Sequence, residues 1–422
     1  KEKFKDLNYE LLLWDEIIFS GASRYNKYND PVFRNVNNRW YFDEINMEAA
    51  WEITKGEEDI IIAIVDDGFD INHEDLKDNY YKPYNVYTQD LNLTDPWVKI
   101  IKGEEVQLGY HGTHVSGTAA AQINNNIGTA GIAPNCRLMP IQVGDPSTGG
   151  MPFLAIIEGI LYAINNGANV INLSLGKDFR ESPILNMSES EHKEIINNQY
   201  LDEEEFWIEV FEMANEENIT LVLAAGNNDI LAGIDAMSRS VFTINVASVD
   251  DKLSKSDFSN YSEIHTVVSA PGGGRGKGIH NCKPYNEYQE ISGTSMAAPI
   301  ISGVVALMKS INPNLTNKQI KDIFQTTGNK KPGNEKIGPL VQVDKALNQA
   351  ISLLEETEVE ESNEDEADTE EENSEESKNL EEELEEKKKK ESDSTKDFYL
   401  YLLLVVGVLI FFFILKKYVL KK

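Results

Sequence analysis

Three short segments, widely separated along the chain, constrain its fold more than any other feature. They are IVDDGFD around Asp66, YHGTHVSGT around His111 and SGTSMAAP around Ser295. Each places one member of an acid–base–nucleophile set among small residues that let backbone and substrate approach closely. Triads of Ser, His and Asp occur on unrelated folds, and their order along the chain differs between those folds. The order Asp, His, Ser therefore limits the folds that this chain can adopt, even before any helix or strand is assigned.

The residue types in these segments predict acyl transfer. A serine hydroxyl becomes nucleophilic when a neighbouring base removes its proton, and His111 is the candidate base. Asp66 follows an apolar run, residues 60–65, that predicts a buried strand, and it would hold the imidazole in the required tautomer. Taken alone, Asp66 also fits a turn residue or a helix cap. Ser295 begins a helix predicted to extend to about residue 310, so its backbone N–H points toward a developing oxyanion.

These motifs resemble those of the subtilisin-like serine peptidases, the subtilase family. The resemblance implies an α/β fold with a mostly parallel central sheet and helices on both faces. The alternation of Ile- and Val-rich strands with helical stretches favours the same arrangement. By resemblance, Asn227, after the apolar run LVLAAG, is the oxyanion-hole asparagine whose amide donates to the tetrahedral intermediate. A plain turn residue after Gly226 is the alternative for this position.

The resemblance also implies two backbone edges that bind the substrate main chain, at least one of them as an added strand. These positions are Ser174, Leu175 and Gly176 in the first edge and Gly149 and Gly150 in the second. Ordinary strand-to-helix loops are the alternative for both edges. The expected walls of the P1 pocket, residues 175–176 and 224–226, are small and apolar, which does not fix the P1 preference.

Asp67 sets this chain apart from most subtilases, which carry Ser or Thr after the catalytic Asp. Here IVDDGFD resembles kexin- and furin-type proprotein convertases, in which the second Asp lies near the P2 pocket and favours a basic side chain. Asp67, together with an acidic surface that attracts cationic substrates, therefore predicts a preference for basic sites. The chain departs from the convertase pattern at HGTH and at SLG, which leaves this preference a hypothesis.

A calcium site is implied by resemblance to thermitase-type subtilases, in which a loop interrupts the helix that carries the catalytic His. The matching loop is QINNNIGTAG, and two distant acids, in NDPVF and HEDL, complete the site. The implied ligands are the side chains of Asp30, Asp75 and Asn125 and the carbonyl oxygens of Ile123, Ile127 and Thr129. Oxygen donors of these types suit Ca²⁺ better than transition metals. An Asn-rich loop with two unrelated surface acids is the alternative.

Composition divides the chain into unequal parts. Residues 1–29 precede the first family-like segment and are expected to be an N-terminal extension or a propeptide remnant. The peptidase domain is expected to span residues 30–353, with an insertion, residues 177–220, whose charged part predicts a solvated excursion. Residues 354–397 are dominated by Glu, which predicts an acidic stalk that is disordered or transiently helical.

Residues 398–415 form an unbroken apolar run, FYLYLLLVVGVLIFFFIL. A helix of this length spans about 27 Å, close to the hydrocarbon thickness of a bilayer. The run therefore predicts one transmembrane helix, followed by a short basic tail, residues 416–422; a buried core helix is the alternative. Lysines flank both ends, so the positive-inside count is nearly balanced. The prediction of an extracytoplasmic peptidase rests on the family, whose members are mostly secreted; a tail-anchored enzyme facing the cytosol is the alternative.

The expected partners are a peptide or protein substrate and a lipid bilayer, and the chain is expected to be a monomer. The net charge of −32 disfavours nucleic acid as a partner. Cys136 and Cys282 allow one disulfide or none. The sequence thus predicts a membrane-anchored serine endopeptidase with a processing role, a broad degradative role being the alternative. A catalytically silent surface-binding module is the alternative from another class, and the filled catalytic positions argue against it.

Overall fold

A seven-stranded parallel sheet organises the part of the chain that the structure describes. The structure is a computed structural model, and it describes residues 27–93, 96–101, 104–330, 333 and 335–368. The strands, in chain order, are β1 (Ile61–Asp66), β2 (Tyr84–Asn85), β3 (Trp97–Ile101), β4 (Glu104–Leu108), β5 (Arg137–Gln142), β6 (Val170–Leu173), β7 (Thr220–Ala224), β8 (Thr243–Val249), β9 (Val268–Pro271), β10 (Ile279–Lys283) and β11 (Glu287–Ile291). The central sheet has the order β2-β5-β1-β6-β7-β8-β9, while β3–β4 and β10–β11 form antiparallel hairpins.

Helices cover both faces of this sheet. The helices are α1 (Val36–Glu44), α2 (Met47–Ile53), α3 (His111–Ala120), α4 (Phe153–Asn165), α5 (Glu189–Asn198), α6 (Leu201–Glu216), α7 (Thr294–Ile311), α8 (Asn317–Thr327) and α9 (Val343–Asp368). Alternate residues of β1 enter two separate apolar clusters: Ile62 and Ile64 pack with α3 and α7, whereas Ala63 and Val65 pack with α4 and α6. A strand buried on both faces is expected to be continuously apolar. The predicted α/β fold with a mostly parallel sheet is confirmed.

Parallel strands bring the chain segments that follow them to one edge of the sheet. Strand β1 lies between β5 and β6, and Ile64 pairs with Asn172. Asp66 and Ser174 each come two residues after that pair, so they lie side by side at the ends of two neighbouring strands. In the same way Leu173 pairs with Leu223 in β7. The segments that carry the predicted catalytic and substrate-binding residues therefore meet at this carboxyl edge.

Helix α7 is the one helix of the described residues that is long and apolar enough to cross a membrane. It is packed inside the protein, since residues such as Ile301 and Val305 are fully buried against the sheet. Its length reflects its role as the core helix that begins next to Ser295, and it confirms the helix predicted there. The predicted transmembrane helix, residues 398–415, and the basic tail after it lie outside the described residues.

The insertion departs from the predicted solvated excursion. Helix α5 begins with a capping box between Ser188 and Glu191, and α6 follows it almost directly. Ile184 and Ile195 are buried in a small apolar cluster with residues 230–234. The apolar residues interspersed among the charges anchor the segment on the domain, which a reading of its charge alone missed.

The chain divides into two units after Glu355. The predicted stalk and the predicted N-terminal extension are each described only in part. Helix α9 continues to Asp368, so residues 354–368 are helical, which is one of the two states predicted for the stalk; residues 369–397 lie outside the described residues. Residues 1–26 of the predicted N-terminal extension also lie outside them. Cys136 and Cys282 are both buried free thiols, so no disulfide joins them.

Candidate active site

Asp66 and His111 form a hydrogen-bonded acid–base pair. His111 begins α3, and its Nδ1 lies 2.8 Å from Oδ1 of Asp66. Asp66 is fully buried at the end of β1, whereas the His111 side chain is 26% exposed. A carboxylate that accepts from Nδ1–H fixes the tautomer in which Nε2 is free to take a proton. The predicted pairing of these two residues is thus present in the geometry.

Asp67 adds a second carboxyl group to this pair. Its backbone N–H donates to Asp66 Oδ1 (2.7 Å), and its own Oδ1 accepts from Gly112 N (3.2 Å). Burial and the charge of Asp66 raise the pKa of Asp67 to about 7. Burial would lower the pKa of His111, but the charge and hydrogen bond of Asp66 and the charge of Asp67 outweigh it and raise that pKa to about 9. The imidazolium that forms during acyl transfer is therefore strongly stabilised.

Ser295 lies in the first turn of α7 and is tied to the predicted substrate edge. Its hydroxyl donates to the carbonyl oxygen of Ser174 (3.2 Å), and the Ser174 hydroxyl donates to the carbonyl oxygen of Ser295 (2.9 Å). In a regular helix the Ser295 carbonyl would accept from residue 299, but Pro299 has no N–H. The Ser174 hydroxyl supplies the missing donor, which explains why this helix tolerates a proline one turn after the nucleophile.

A buried polar chain holds Ser174 in place. The Ser302 hydroxyl donates to Asn172 Oδ1 (2.8 Å), and Asn172 Nδ2 donates to the Ser174 hydroxyl (2.9 Å). The Ser295 hydroxyl does not bond to His111 among the described contacts. Hydrogen bonds of catalytic residues are often long or absent without substrate, and a serine hydroxyl changes partner by rotation about χ1.

Asn227 and the Ser295 N–H converge as the two predicted oxyanion donors. Asn227 Oδ1 accepts from the backbone N–H (2.8 Å) and the hydroxyl (3.0 Å) of Thr294. Fixing the amide oxygen in this way leaves Nδ2 available to donate. A Cβ built on Gly293 would lie 3.7 Å from both Asn227 amide atoms and from Ser295 N, so both donors border the same small space. Preorganised donors of this kind stabilise a developing oxyanion.

The two predicted substrate edges differ in how firmly the structure ties them to the nucleophile. Ser174 and Leu175 are buried at the end of β6, while Gly176 is exposed and free to meet a substrate backbone. Gly149 and Gly150 lie in a turn after β5, where Asp145 N donates to the Gly150 carbonyl (2.8 Å). Gly149 has a φ of +74° that favours glycine.

The predicted calcium ligands gather around the loop that follows α3. Asp30 accepts from the backbone N–H groups of residues 124–126, and Asp75 accepts from Asn125 Nδ2 (2.6 Å) and Thr129 N (3.0 Å). Asn125 Oδ1 accepts from Ile127 N (2.9 Å). Ile123 flanks this loop, but its backbone N–H donates to neither acid in the described hydrogen bonds. Five of the six predicted ligand residues therefore share one network.

The chemical types of these donors suit a hard cation, but not all of them are oriented to bind one. Asp30 and Asp75 are both fully buried, and neither forms an ion pair with a basic side chain among the described residues. Burial raises the pKa of both carboxyl groups. Two buried acids at one loop are the charge that Ca²⁺ neutralises. Asn125 presents its amide nitrogen to Asp75, so its oxygen would have to turn toward an ion.

Sequence reasoning missed two residues of this site. Thr294 stands in the GTS motif, yet its contact with Asn227 joins residues far apart in sequence and no local pattern reveals it. Asp235 is buried against the substrate edge, where its Oδ2 accepts from Lys177 N (2.8 Å). Among 71 acidic residues, no sequence signal distinguishes Asp235 from the others.

Known proteins share both the sequence pattern and the fold. Residues 57–377 match the family model described as the subtilase family. The chain is 32% identical over 310 residues to thermitase of Thermoactinomyces vulgaris, covering 72% of this chain and 92% of thermitase. It is 33% identical over 287 residues to the thermophilic serine proteinase of Bacillus sp. (strain AK1), covering 68% of this chain and 60% of that relative.

A third relative and one solved structure extend the comparison. The halolysin-like extracellular serine protease Nep of Natrialba magadii is 29% identical over 303 residues, covering 71% of this chain and 48% of Nep. The chain thus spans only about half of Nep and 60% of the Bacillus proteinase. A protease of Pseudoalteromonas arctica PAMC 21717 superposes with a TM-score of 0.62 at 26% identity, covering 76% of this chain and 99% of that one.

Proposed function

Because the chain belongs to the subtilase family, we propose that it is a membrane-anchored serine endopeptidase acting on secreted or surface proteins. The observation that carries the proposal is the 2.8 Å hydrogen bond from His111 Nδ1 to buried Asp66, at the sheet edge where Ser295 also lies. A hydrogen-bonded base beside a serine at a helix start is the arrangement that activates a hydroxyl. A tethered enzyme reaches few substrates, which favours processing over broad degradation.

The reaction would proceed in two stages. Ser295 Oγ bonds to the substrate carbonyl carbon while His111 Nε2 takes the hydroxyl proton, and Asn227 Nδ2 and Ser295 N donate to the oxyanion. The intermediate then breaks its C–N bond, and His111 protonates the leaving amine. Water then attacks the acyl-enzyme ester while His111 takes one of its protons. The bond between the acyl carbon and Oγ breaks, the carboxylic acid product leaves, and His111 returns the proton to Ser295 Oγ. Asp66 accepts the His111 Nδ1–H hydrogen bond throughout and stabilises the imidazolium.

The test of this function uses the full chain and peptides blocked at both ends. An endopeptidase cuts such peptides internally, and the new amino termini locate each cut. Labelling of Ser295 by a fluorophosphonate, which esterifies an activated serine, together with loss of cleavage after that treatment, would support an acyl-enzyme. Blocked peptides that stay intact, with Ser295 unlabelled, would instead favour the silent binding module.

Asp67 supports a preference for a basic P2 residue in this same enzyme. Its carboxyl group is partly exposed beside His111, where a substrate side chain would pass. Since its pKa is raised to about 7, the carboxyl carries its full charge only above that pH. The preference is therefore expected to strengthen as pH rises from 6 to 8. A cleavage profile indifferent to Lys and Arg at P2 would remove it.

Calcium at the Asp30–Asp75 loop is proposed to stabilise the domain. Asp30, Asp75 and Asn125 would hold the ion by side chains, with carbonyl oxygens of residues 123, 127 and 129. The ion would neutralise two buried carboxylates that lack basic partners among the described residues. Binding to the folded state alone raises its stability by about 2.7 kcal/mol at a free calcium concentration one hundred times Kd.

Removing calcium is accordingly expected to lower the thermal midpoint of the protein. Titrating the chelated protein with Ca²⁺ should restore the midpoint, and Asp75→Asn should weaken this response by removing one buried charge. Asp322→Asn is the matched control, since Asp322 is an exposed acid whose ion pair with Lys318 contributes little. A thermal midpoint that changes neither with chelator nor with added Ca²⁺ would contradict the proposed calcium site.

The membrane anchor is proposed from residues 398–415, on composition alone. Deleting this run from the full chain is expected to abolish flotation with phospholipid vesicles, because about 27 Å of apolar helix would no longer enter the bilayer. Deleting an equal length of the acidic segment, residues 369–386, is the control and should leave flotation intact. Flotation that survives loss of residues 398–415 would overturn the anchor.

A further inference from the structure

Asp235 is a buried carboxylate placed directly against the substrate edge. It lies 7% exposed between two short 3-10 helices, Ala232–Ile234 and Ala236–Arg239, in the segment that follows β7. Its Oδ2 accepts from Lys177 N (2.8 Å), and a Cβ built on Gly176 would lie 3.2 Å from the same oxygen. The carboxylate therefore touches the end of the edge that runs from Ser174 to Gly176.

The resemblance to subtilases places the P1 pocket between the ends of β6 and β7, and Asp235 lies against the β6 side of that region. Leu173 pairs with Leu223, so the segments that end in Gly176 and Gly226 leave neighbouring strands at the same edge of the sheet. Ala236 and Met237, next to Asp235 in sequence, share an apolar cluster with Leu175 and Leu223. The Asp235 segment thus packs with residues of, or next to, both expected walls of the pocket. Those walls are small and apolar, and Asp235 adds a carboxyl group beside them.

Asp235 forms no ion pair with a basic side chain among the described residues. Burial raises its pKa, and the charge of Lys177 offsets this only in part. The ammonium group of Lys177, the nearest basic side chain in sequence, pairs instead with Glu203 (2.6 Å). Oδ1 and Oδ2 each accept one backbone N–H, from Met237 and Lys177. A buried carboxylate is costly unless paired, and a carboxylate has more acceptor positions than these two donors fill. An arriving guanidinium or ammonium group would complete it.

We infer that Asp235 is a specificity-determining residue that selects Arg or Lys at P1. The inference rests on the proposed endopeptidase function, because it needs a cleaved bond next to the P1 residue. A purely structural role is the competing explanation, since Asp235 also caps the second 3-10 helix through Met237 N. The two explanations differ in what removal of the charge does to different substrates. If the role is structural, losing the charge lowers kcat/KM for every substrate alike. If the role is in specificity, it lowers kcat/KM only for substrates with a basic P1 residue.

The experiment measures kcat/KM of the full chain on two blocked peptides that differ only at P1, one with Arg and one with Leu. Wild type is expected to prefer Arg. Asp235→Asn should lower kcat/KM for the Arg peptide about 10- to 100-fold, the range for a charged hydrogen bond, and leave the Leu peptide within about threefold. Asp178→Asn is the matched control, because Asp178 is an exposed acid of the same loop that pairs with Arg180.

Raising the salt concentration shows whether the preference for Arg comes from Asp235 or from the acidic surface of the protein. The preference due to a buried carboxylate should persist at 1 M salt, where surface attraction is screened. Equal losses for both peptides in Asp235→Asn, or equal cleavage of both by wild type, would overturn the inference while leaving the peptidase function standing. Failure of wild type to cut either peptide, with Ser295 unlabelled by fluorophosphonate, would overturn the proposed function itself and the inference with it.

Discussion

Replacing Ser295 with Ala is expected to abolish peptide hydrolysis and leave the fold intact. The hydroxyl is the atom that forms the acyl-enzyme, and the neighbouring Thr294 hydroxyl cannot replace it because it is engaged with Asn227 and Gly226 N. The corresponding loss in subtilisin itself, a member of this family, is on the order of 10⁶ in kcat. Stability should change little, since the Ser295 hydroxyl donates one hydrogen bond, worth about 1 kcal/mol.

The matched control for this substitution lies three residues earlier. The Ser292 hydroxyl also donates one 3.2 Å hydrogen bond to a backbone carbonyl, that of Gly274, so Ser292→Ala removes an equivalent contact without touching the triad. Rates of cleavage of blocked peptides and fluorophosphonate labelling are measured on both variants, and thermal midpoints verify folding. Cleavage that survives in Ser295→Ala would show that another group is the nucleophile.

The motifs located three segments of the candidate site because each lies where a local structural rule places it. Asp66 ends an apolar strand, and His111 and Ser295 stand at helix starts, so the three motifs could be placed on elements before the structure was known. The bond between Ser174 and Ser295 was not predictable in the same way. It depends on the carbonyl that Pro299 leaves without a donor and on a register between β1 and β6 that no local pattern specifies.

Charge patterns were the weakest guide. The charged insertion suggested a solvated excursion, yet Ile184 and Ile195 pack it against residues 230–234, because a few apolar side chains outweigh many exposed charges in deciding where a segment lies. Asp235 shows the converse. Its significance comes from burial against Gly176, and burial of one acid among many follows from tertiary packing that the sequence does not display.

Replacing Asp66 with Asn tests how the acid acts on the base. The amide preserves the size of the side chain but removes its charge. The amide nitrogen can donate to His111 only if Nδ1 carries no proton. In that tautomer Nε2 holds the proton, so His111 cannot deprotonate Ser295. We expect kcat to fall by about 10⁴, the loss seen for this change in another serine-protease fold. Asp78→Asn, at an exposed acid, is the control and should keep wild-type kcat.

The pH profile of the same variant separates orientation from electrostatics. His111 acts as a base only when neutral, so wild-type kcat/KM should rise with pH until it levels above the raised pKa of about 9. Burial opposes that elevation, and the charge of Asp66 is the largest contribution in its favour. Without that charge the pKa of His111 falls, although Asp67 still supports it, and the rising limb should move to lower pH. A limb that stays in place while kcat falls would show that Asp66 orients His111 without setting its pKa; a limb that moves while kcat holds would show the reverse.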